Sequence, residues 1–536
     1  MLHCEELDKM KKFMVYASLL FSLVLTACQK TEDVQPVTND PKPVVQETAT
    51  AEREPIKEEE TVIHLSKNLK NKGNTNPVMT QAFGADPYAM VYDDTIYLYM
   101  TADAFEYDAQ GEIVENSYSK IKSIHVLSTK DMKNFTDYGE IDVAGTDGIA
   151  TWAHNSWAPA ACWKNIDGVD KFFLYFADNG GGIGVLEGET PYGPFKDPLG
   201  HALISRNVPN CNDVLWLFDP AVLVDDDGTG YIYFGGGVPE GKAAAPGTGR
   251  CARLGADMIS LDGDPVRMDV PYLFEDSGIH KFNDKYYYTY CSNWTVDQAG
   301  TDQYGMTSGQ ICCMESDSPL GPFTYKEMIL ANPGTLCGLW GNNHHCVFSF
   351  RDKWYITYHS RQLEKSMEIE HGYRSTFINE FTMQEDGSIG VIKQSVEGPD
   401  QISYVDAYSE NAAVCVSSMA GCKAVGADDF AKEHGYGHMA VSVLETGNFV
   451  AVDGVDFKEQ APKQITINAS VPEGVSGKVH VRLDFAGRED IAVVDLAESN
   501  GFKAFTASVD TDLTGVHNLY LVFEGEGYLV DSYTFA

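Results

Sequence analysis

"GADPYAMVYDDTIYLYM", residues 84–100, has the pattern of two β-strands joined by a tight Asp-Asp turn. Asp86, followed by a proline, stands where the first strand begins. The stretch "FDPAVLVDDDGTGYIYF", residues 218–234, repeats this arrangement around Asp219. Because a proline disfavours helical geometry in the residue before it, both acids are predicted to have extended backbone. The sequence therefore predicts two β-hairpins, each beginning with an acid whose backbone, and hence side-chain direction, is restricted by the following proline.

Five stretches of the chain share a turn followed by an aromatic-rich strand. They are "DDTIYLYMT", "VDKFFLYFA", "GTGYIYFGG", "NDKYYYTYC" and "RDKWYITYH". The distance between them suits one four-stranded sheet with its loops. A helical solenoid would need a helical period that these segments lack, and a twofold sandwich would not repeat five times. The sequence predicts an all-β chain with a five-bladed β-propeller over residues 76–398.

The segment one hairpin before each of these strands is the candidate innermost strand of a blade. These segments are "GADPYAMV", "SWAPAACW", "FDPAVLV", "FEDSGIHKF" and "NNHHCVFSF". The residues that we place at equivalent positions are Asp86, Pro159, Asp219, Glu275 and His344. Since innermost strands run side by side around the axis, their equivalent residues converge. We expect three carboxylates and an imidazole in one cavity, although any single Asp-Pro could be a solvated turn start.

Three converging carboxylates suit the hydrolysis of a glycosidic bond. One carboxylic acid protonates the leaving oxygen, and one carboxylate activates water or attacks the sugar. A third carboxylate raises the pKa of the acid and keeps its proton in place. Aromatic side chains beside the acids would offer flat faces on which sugars stack, with core packing as the alternative. The candidates are Trp152, Trp157, Phe218 and Trp340, with Trp216 beside them.

Together the five segments resemble glycoside hydrolase family 43, a family of five-bladed propellers. The resemblance implies an inverting mechanism with Asp86 as general base, Glu275 as general acid and Asp219 tuning and orienting that acid. For inversion, the carboxyl groups of Asp86 and Glu275 should lie roughly 6.5 to 9.5 Å apart. The branch most similar to this sequence removes α-L-arabinofuranosyl groups from arabinoxylan, with β-xylosidases as near relatives.

Two further residues are identified through the same resemblance. His344 is similar to the axial histidine of the family, which is associated with a central water or a structural calcium ion; His345 is its rival, and a simple buried histidine is the alternative for either. The chemistry itself requires no cofactor. Arg374, in "GYRSTF", matches a family arginine near the sugar subsite, and the alternative for it is an outward salt bridge.

Residues 405–536 are predicted to form a separate β-sandwich of jelly-roll type. Their last strands, "GVHNLYLVFEGEGYLVDSYTFA", resemble family 6 carbohydrate-binding modules. Phe502 stands where such modules commonly have a tryptophan, and Leu529 where they place a sugar-binding asparagine. Loss of that amide removes a polar contact to sugar, so a packed spacer is the alternative to a glycan-binding domain.

The overall charge limits the partners. The 39 basic and 78 acidic residues give a net charge of −39, which repels nucleic acid and polyanionic substrates. A neutral plant cell-wall polysaccharide or oligosaccharide fits this charge. A sialidase-like propeller would need an arginine cluster and repeated Ser-x-Asp-x-Gly boxes, and the sequence shows neither.

The N-terminus predicts export. Two lysines precede the apolar run at residues 13–25, which suits a signal peptide, and the run ends in "LTAC". This ending resembles a bacterial lipobox, which implies lipidation at Cys28, a signal peptide over residues 1–28 and a membrane anchor. Residues 29–75 lack the apolar surface to fold and are predicted to be a disordered tether. The predicted location is the bacterial cell envelope, either periplasmic or at the outer surface.

Several alternatives stay open at this point. An endo-acting arabinanase or xylanase would differ in having an open groove. A non-catalytic surface lipoprotein that captures glycans would be favoured if Glu275 pointed away from the cavity. Among the twelve cysteines, Cys415 and Cys422 are the best disulfide pair, with two free thiols as the alternative.

Overall fold

The computed structural model describes residues 63–536. The predicted signal peptide, Cys28 and residues 29–62 of the predicted tether lie outside the described residues. Residues 63–75 of that tether are packed: the Ser66 N–H donates to the Gly447 carbonyl at 2.9 Å, and Ile63 and Leu65 contact an apolar core, so the prediction of disorder was wrong there. The described chain is all-β, which confirms the coarser part of the predicted fold class. Its four short helices are Gln298–Tyr304, Gly334–Cys337, Gln362–Ser366 and Asp429–His434.

Five antiparallel sheets follow one another along the chain, and we number them sheets 1 to 5. Sheet 1 contains Ala85–Tyr92, Thr95–Thr101, Ser123–Thr129, Phe135–Asp142 and Cys415–Val416. Sheet 2 contains Trp157–Ile166, Val169–Ala177, Gly182–Gly188 and Phe195–Lys196, with Ile204–Ser205 beside its third strand. Sheet 3 contains Ala221–Val224, Gly230–Phe234, Gly249–Arg253 and Val266–Met268. Sheet 4 contains Leu273–Phe282, Lys285–Ser292, Ile311–Ser316 and Thr324–Leu330, and sheet 5 contains His345–Phe350, Lys353–Ser360 and Ser375–Phe381.

The first strands of the five sheets form a ring. Each packs against the first strands of the sheets before and after it, and that of sheet 5 packs against that of sheet 1. Tyr88 of sheet 1 reaches sheet 3, where its hydroxyl donates to the Val222 carbonyl at 2.8 Å. Residues that lie at the start of each first strand are thereby gathered at one end of the ring.

The turns between first and second strands show why the sequence forms hairpins here. In sheets 1, 2, 4 and 5 the two-residue loop has positive φ at both positions, as at Asp93 (46°) and Asp94 (54°). Turns of this kind match the right-handed twist of the flanking strands and favour Asn, Asp and Gly. Arg351 (φ 48°) is the exception in sheet 5, and its guanidinium is held by the Asp94 carboxylate at 2.6 Å.

Two larger sheets follow the ring, and each has six strands. The first contains Val405–Asp406, Ser418–Ala420, Phe449–Asp456, Gly477–Leu483, Ala492–Leu496 and Val516–Glu524. The second contains Asn411–Ala412, Lys423–Gly426, Met439–Val443, Gln464–Ser470, Phe502–Ser508 and Tyr528–Phe535. Their alternating apolar side chains share one core, in which Val450, Ile467 and Leu521 are fully buried. This core is separate from the cores of the ring.

The ring and the two larger sheets are joined by backbone and polar contacts. Cys415–Val416, from the chain that leads into the larger sheets, pairs with Phe135–Asp142 as an extra strand of sheet 1. Asn134 of the ring donates to the Asp453 carbonyl at 2.8 Å and accepts from the Asp453 N–H at 2.8 Å. Cys415 and Cys422 are both free thiols, which is the alternative to a disulfide between them.

Candidate active site

The acids of the two Asp-Pro pairs, Asp86 and Asp219, have a backbone conformation that differs from the prediction. Asp86 (φ 47°) and Asp219 (φ 48°) have left-handed backbone instead of the extended geometry that was predicted. In sheet 1 the strand pairing shifts register between Ala85 and Tyr88, so Asp86 lies in a β-bulge. A bulge redirects the side chain at that point, and strained backbone of this kind is typical of functional sites. The prediction of extended backbone was wrong at both acids, and at Asp86 the bulge overrides the effect of the proline.

The same geometry corrects the register that was read from the sequence. In sheet 2 the residue before the proline, with positive φ (41°), is Ala158, so Ala158 and not Pro159 corresponds to Asp86. In sheet 4 the residue with positive φ (69°) in the bulge is Asp276, next to Glu275. Asp276 is thus a fourth carboxylate of the site that sequence reasoning missed.

His344 shows that the predicted residues converge. Its Nδ1 atom lies 3.6 Å from Asp86 Oδ1 and 3.9 Å from Asp219 Oδ2. Its Nε2 atom lies 3.1 Å from Asp276 Oδ1. The backbone N–H of Asp276 donates to Asp219 Oδ2 at 2.9 Å. Residues from sheets 1, 3, 4 and 5, far apart in sequence, therefore share one buried cluster with Glu275 at its edge.

Asp86 lies beside a guanidinium and two imidazoles. Arg374 Nη1 donates to Asp86 Oδ1 at 2.8 Å, while Arg374 Nε and Nη2 donate to the two oxygens of Asp103 at 2.9 and 2.8 Å. The Asp86 N–H donates to Nδ1 of His359 at 3.1 Å. Burial raises the pKa of Asp86, but Arg374 and the two histidines outweigh burial and hold it well below its usual range.

Arg374 therefore faces the cluster, and the outward salt bridge that was its alternative is not what the structure shows. Its side chain is buried, and its planar guanidinium bridges Asp103 and Asp86. The two bonds to Asp103 fix the orientation of the guanidinium, which then gives Asp86 Oδ1 one charge-assisted hydrogen bond. Asp86 is thus an ionised carboxylate in a fixed position.

Glu275 lies in the opposite electrostatic environment. Its side chain is buried, and its Oε1 atom has no hydrogen-bond partner in the described part of the chain. Burial, together with the charges of Asp219 and Asp86, raises the pKa of Glu275 well above its usual range. Burial and Asp86 also raise the pKa of Asp219. Glu275 therefore retains a proton that Asp86 has lost.

The histidines around Asp276 pair with carboxylates. His345 Nδ1 lies 2.5 Å from Asp276 Oδ2, and its Nε2 lies 2.7 Å from the Thr289 hydroxyl. Burial raises the pKa of Asp276 to about 7 and lowers that of His345 to about 3. Among residues 63–536 no group of three or more His, Cys, Asp or Glu side chains is arranged to hold a metal ion. The axial calcium at His344 stays a prediction, and no step is assigned to a metal.

The predicted aromatic residues have different surroundings. Trp157 Nε1 donates to the Tyr118 carbonyl at 3.0 Å, and the Tyr118 ring lies over Arg374, so Trp157 belongs to the wall of the site. Phe218 is buried against Trp216, with ring centroids 5.3 Å apart. Trp340 is 56% exposed, between Gly334 and Arg361. Trp152 instead packs on Phe176 in sheet 2 and donates to Asp197 at 2.8 Å, which is a packing role.

Four residues of the site were not found from the sequence: Asp103, Tyr118, Asp276 and His359. Asp276 had a usable signal, because it directly follows Glu275 in "FEDSG" and a one-residue shift of register would have selected it. Asp103 and Tyr118 lie in the long connection between the second and third strands of sheet 1 and belong to no repeat. Ionised and protonated carboxylates gathered at the end of a ring of sheets define the acid–base site of a glycosidase.

Comparison with known proteins agrees with this class. Residues 74–389 match the model for glycosyl hydrolases family 43, and residues 413–536 match that for carbohydrate binding module family 6. An arabinoxylan arabinofuranohydrolase of Paenibacillus polymyxa is 44% identical over 85% of this chain and 73% of its own length. One of Bacillus subtilis (strain 168) is 40% identical over 85% of this chain and 91% of its own length.

A solved structure extends the likeness across both regions. The glycoside hydrolase family 43 arabinoxylan arabinofuranohydrolase from Bacillus subtilis, in complex with cellotetraose, has a TM-score of 0.82 at 38% identity and covers 88% of this chain and 99% of its own. The chain belongs to glycosyl hydrolases family 43, and it is a glycosyl hydrolase.

The two departures from the carbohydrate-binding pattern lie on the two strands that flank Ser470. Ser470 pairs with Phe502 on one neighbouring strand and with Leu529 on the other, and the two side chains are half-buried. The place where the expected aromatic ring and amide would stand is therefore apolar in this chain.

Proposed function

We propose that the chain removes α-L-arabinofuranosyl groups from arabinoxylan-type polysaccharide or oligosaccharides with inversion at the anomeric carbon. Two relatives, each aligned with 85% of this chain, bear the name arabinoxylan arabinofuranohydrolase. The ring of five sheets and the pair of larger sheets support a five-bladed β-propeller followed by a β-sandwich. Removal of β-xylosyl groups is the second candidate activity of the same site.

The residues divide the chemistry between the two sides of the cluster. Asp86, ionised and clamped by Arg374, takes a proton from the attacking water. Glu275, protonated, donates its proton to the leaving glycosidic oxygen. The negative charge of Asp219 raises the pKa of Glu275 and so keeps that proton in place, while the Asp276 N–H donates to Asp219 Oδ2. After one turnover Asp86 loses its extra proton to solvent and Glu275 regains one.

One observation carries this proposal most directly. Among the described residues the Oε1 atom of Glu275 is buried without a partner, whereas Asp86 Oδ1 accepts a hydrogen bond from the Arg374 guanidinium, so one carboxyl has a proton to give and the other is held ionised to accept one. A glycan-capturing protein without activity would not need this asymmetry. The test is incubation with wheat arabinoxylan and with 4-nitrophenyl α-L-arabinofuranoside, with proton NMR of the first sugar formed. We expect arabinose with inverted configuration; retained configuration would contradict the roles given to the two acids.

The choice between exo and endo action depends on the same experiment. An arabinofuranosidase releases free arabinose and leaves the main chain at its original length. An endo-acting arabinanase or xylanase would instead shorten the polymer, which size-exclusion chromatography of the products would show.

We also propose that the protein is an exported envelope lipoprotein anchored through Cys28. The apolar run at residues 13–25 and the "LTAC" sequence support this proposal. Among the described residues, no helix is long and apolar enough to cross a membrane. Intact mass of the membrane-extracted protein tests it: an N-terminus other than a lipid-modified Cys28 would contradict it.

A further inference from the structure

Tyr118 lies at the edge of the carboxylate cluster in a strained conformation. Its φ of 58° is left-handed, which is unfavourable for a residue with a bulky side chain. The conformation is held from both sides, because its N–H donates to Asn116 Oδ1 and its carbonyl accepts from Trp157 Nε1, both at 3.0 Å. Backbone strain that is held by surrounding bonds is typical of functional sites.

The connection that carries Tyr118 is anchored close to Arg374. It contains a short hairpin, Glu106–Tyr107 with Ile113–Val114, just before Tyr118. The Tyr373 hydroxyl accepts from the Glu106 N–H at 2.7 Å and donates to the Val114 carbonyl at 2.9 Å. The hairpin is thereby fixed to Tyr373, which directly precedes Arg374 in the chain.

The ring of Tyr118 covers the guanidinium that holds the base. Arg374 Cζ lies 4.8 Å from the ring centroid, a cation–π distance. Burial raises the pKa of Tyr118 to about 12; Arg374 opposes this effect, while Asp103, Asp86 and Glu275 add to it. The phenol keeps its proton at neutral pH, and its ring lies against the guanidinium that hydrogen-bonds to Asp86. It is a hydrogen-bond donor beside the reacting groups.

That donor is not used within the protein. The hydrogen bonds of Tyr118 to the described residues 63–536 all involve its backbone, and none involves its hydroxyl. The residue is half-buried, with its hydroxyl accessible. A donor that is rigidly held, unpaired and accessible beside a catalytic acid and base is suited to a hydroxyl group of the substrate.

We propose that Tyr118 contacts the substrate and determines specificity, by donating a hydrogen bond from its hydroxyl to a hydroxyl of the neutral terminal sugar. Trp157 and Arg374 fix its backbone and ring in place for that contact. This inference rests on the proposed arabinofuranosidase function. It assigns one contact that selects the terminal sugar before the glycosidic bond breaks.

Tyr118→Phe separates the contact from the packing. The variant keeps the ring over Arg374 and loses only the hydroxyl, so the fold and the Asp86 clamp stay intact. We expect kcat/KM for 4-nitrophenyl α-L-arabinofuranoside to fall by about 10- to 100-fold, since a hydrogen bond to a substrate hydroxyl is lost. Tyr107→Phe is the matched control, because Tyr107 lies in the same connection and is 56% exposed. It should leave kcat/KM unchanged.

A series of substrates gives a readout that a merely structural role would not move. The 2-, 3- and 5-deoxy analogues of the nitrophenyl arabinofuranoside each lack one hydroxyl. With the wild type, kcat/KM for each analogue falls below that for the parent substrate according to the contact that the missing hydroxyl made. With Tyr118→Phe, kcat/KM for one of the analogues should be almost equal to that for the parent substrate, because the contact is already absent. That analogue identifies the hydroxyl that Tyr118 binds.

Two results would overturn the inference. One is a Tyr118→Phe variant with kcat/KM within about twofold of the wild type. The other is a variant that loses rate equally on all three deoxy analogues, which would indicate a packing role. A wild type that releases no arabinose at all would instead refute the proposed function, and the two failures are therefore distinguishable.

Discussion

Asp86 and Glu275 are both buried carboxyl groups in one cluster, and they have opposite surroundings. Asp86 has a guanidinium at 2.8 Å and an imidazole beside it, whereas Glu275 has carboxylates as its charged neighbours and an oxygen without a partner. The same functional group is thus ionised on one side of the site and protonated on the other. The difference shows that the neighbours, and not the residue type, assign the roles of base and acid.

The largest expected effect separates the two carboxyl groups by substitution. Glu275→Gln and Asp86→Asn should each lower kcat on arabinoxylan by about 10²- to 10⁴-fold, since each removes one proton-transfer group. Their stabilities should differ, because Gln resembles the protonated Glu275, whereas Asn removes the charge that Arg374 pairs with. Urea unfolding should show Asp86→Asn less stable by about 1 to 3 kcal/mol and Glu275→Gln nearly unchanged. Equal destabilisation by both would mean that Glu275 is ionised in the folded protein.

A smaller effect is expected when the base side is weakened. Arg374→Lys keeps the charge and loses the fork that joins Asp103 to Asp86, so the pKa of Asp86 should rise. Because the base must be ionised, the acidic limb of the profile of kcat/KM against pH should move to higher pH. Arg351→Lys, at the surface ion pair with Asp94, is the matched control and should leave the profile in place. An acidic limb that does not move would remove Arg374 from its role.

The acid side should respond in the opposite sense. Asp219→Asn removes a negative charge that raises the pKa of Glu275, so that pKa should fall. The acid must be protonated, and the alkaline limb of the same profile should therefore move to lower pH. Asp226→Asn, an exposed carboxylate in the hairpin of the same sheet, should not shift it. A shift of the alkaline limb to higher pH would be the wrong sign for this account.

The smallest effect on activity is expected at Trp152, which lies outside the carboxylate cluster. Trp152→Phe removes the hydrogen bond to Asp197 and part of the packing on Phe176. We expect a loss of about 1 to 2 kcal/mol in the free energy of unfolding, with kcat/KM within about twofold of the wild type. A tenfold loss of activity at unchanged stability would contradict the packing role and indicate that Trp152 contacts the sugar.

Much of the fold could be predicted because it rests on a local pattern. The alternation of aromatic and β-branched residues after each turn predicts a strand wherever it occurs, and all five copies became the second strands of sheets 1 to 5. The free thiols of Cys415 and Cys422 could not be predicted, because their pairing depends on where the ring meets the larger sheets.

The candidate site could be predicted where it follows the repeat. Asp86, Asp219, Glu275 and His344 were found because equivalent positions of a ring converge. The register error at Pro159 and the omission of Asp276 arose because a β-bulge adds one residue that the strand pattern does not show. Asp103 and Tyr118 come from a connection without a repeat, so their position depends on tertiary contacts alone.

The central claim is that Glu275 carries a proton at neutral pH while Asp86 does not. Infrared difference spectra between the wild type and each variant test it most directly, because protonated and ionised carboxyl groups absorb in separate regions. Glu275→Gln should remove a protonated-carboxyl band at pH 7, and Asp86→Asn should remove only carboxylate absorption. Loss of carboxylate absorption from Glu275→Gln, with the protonated band still present, would contradict the account.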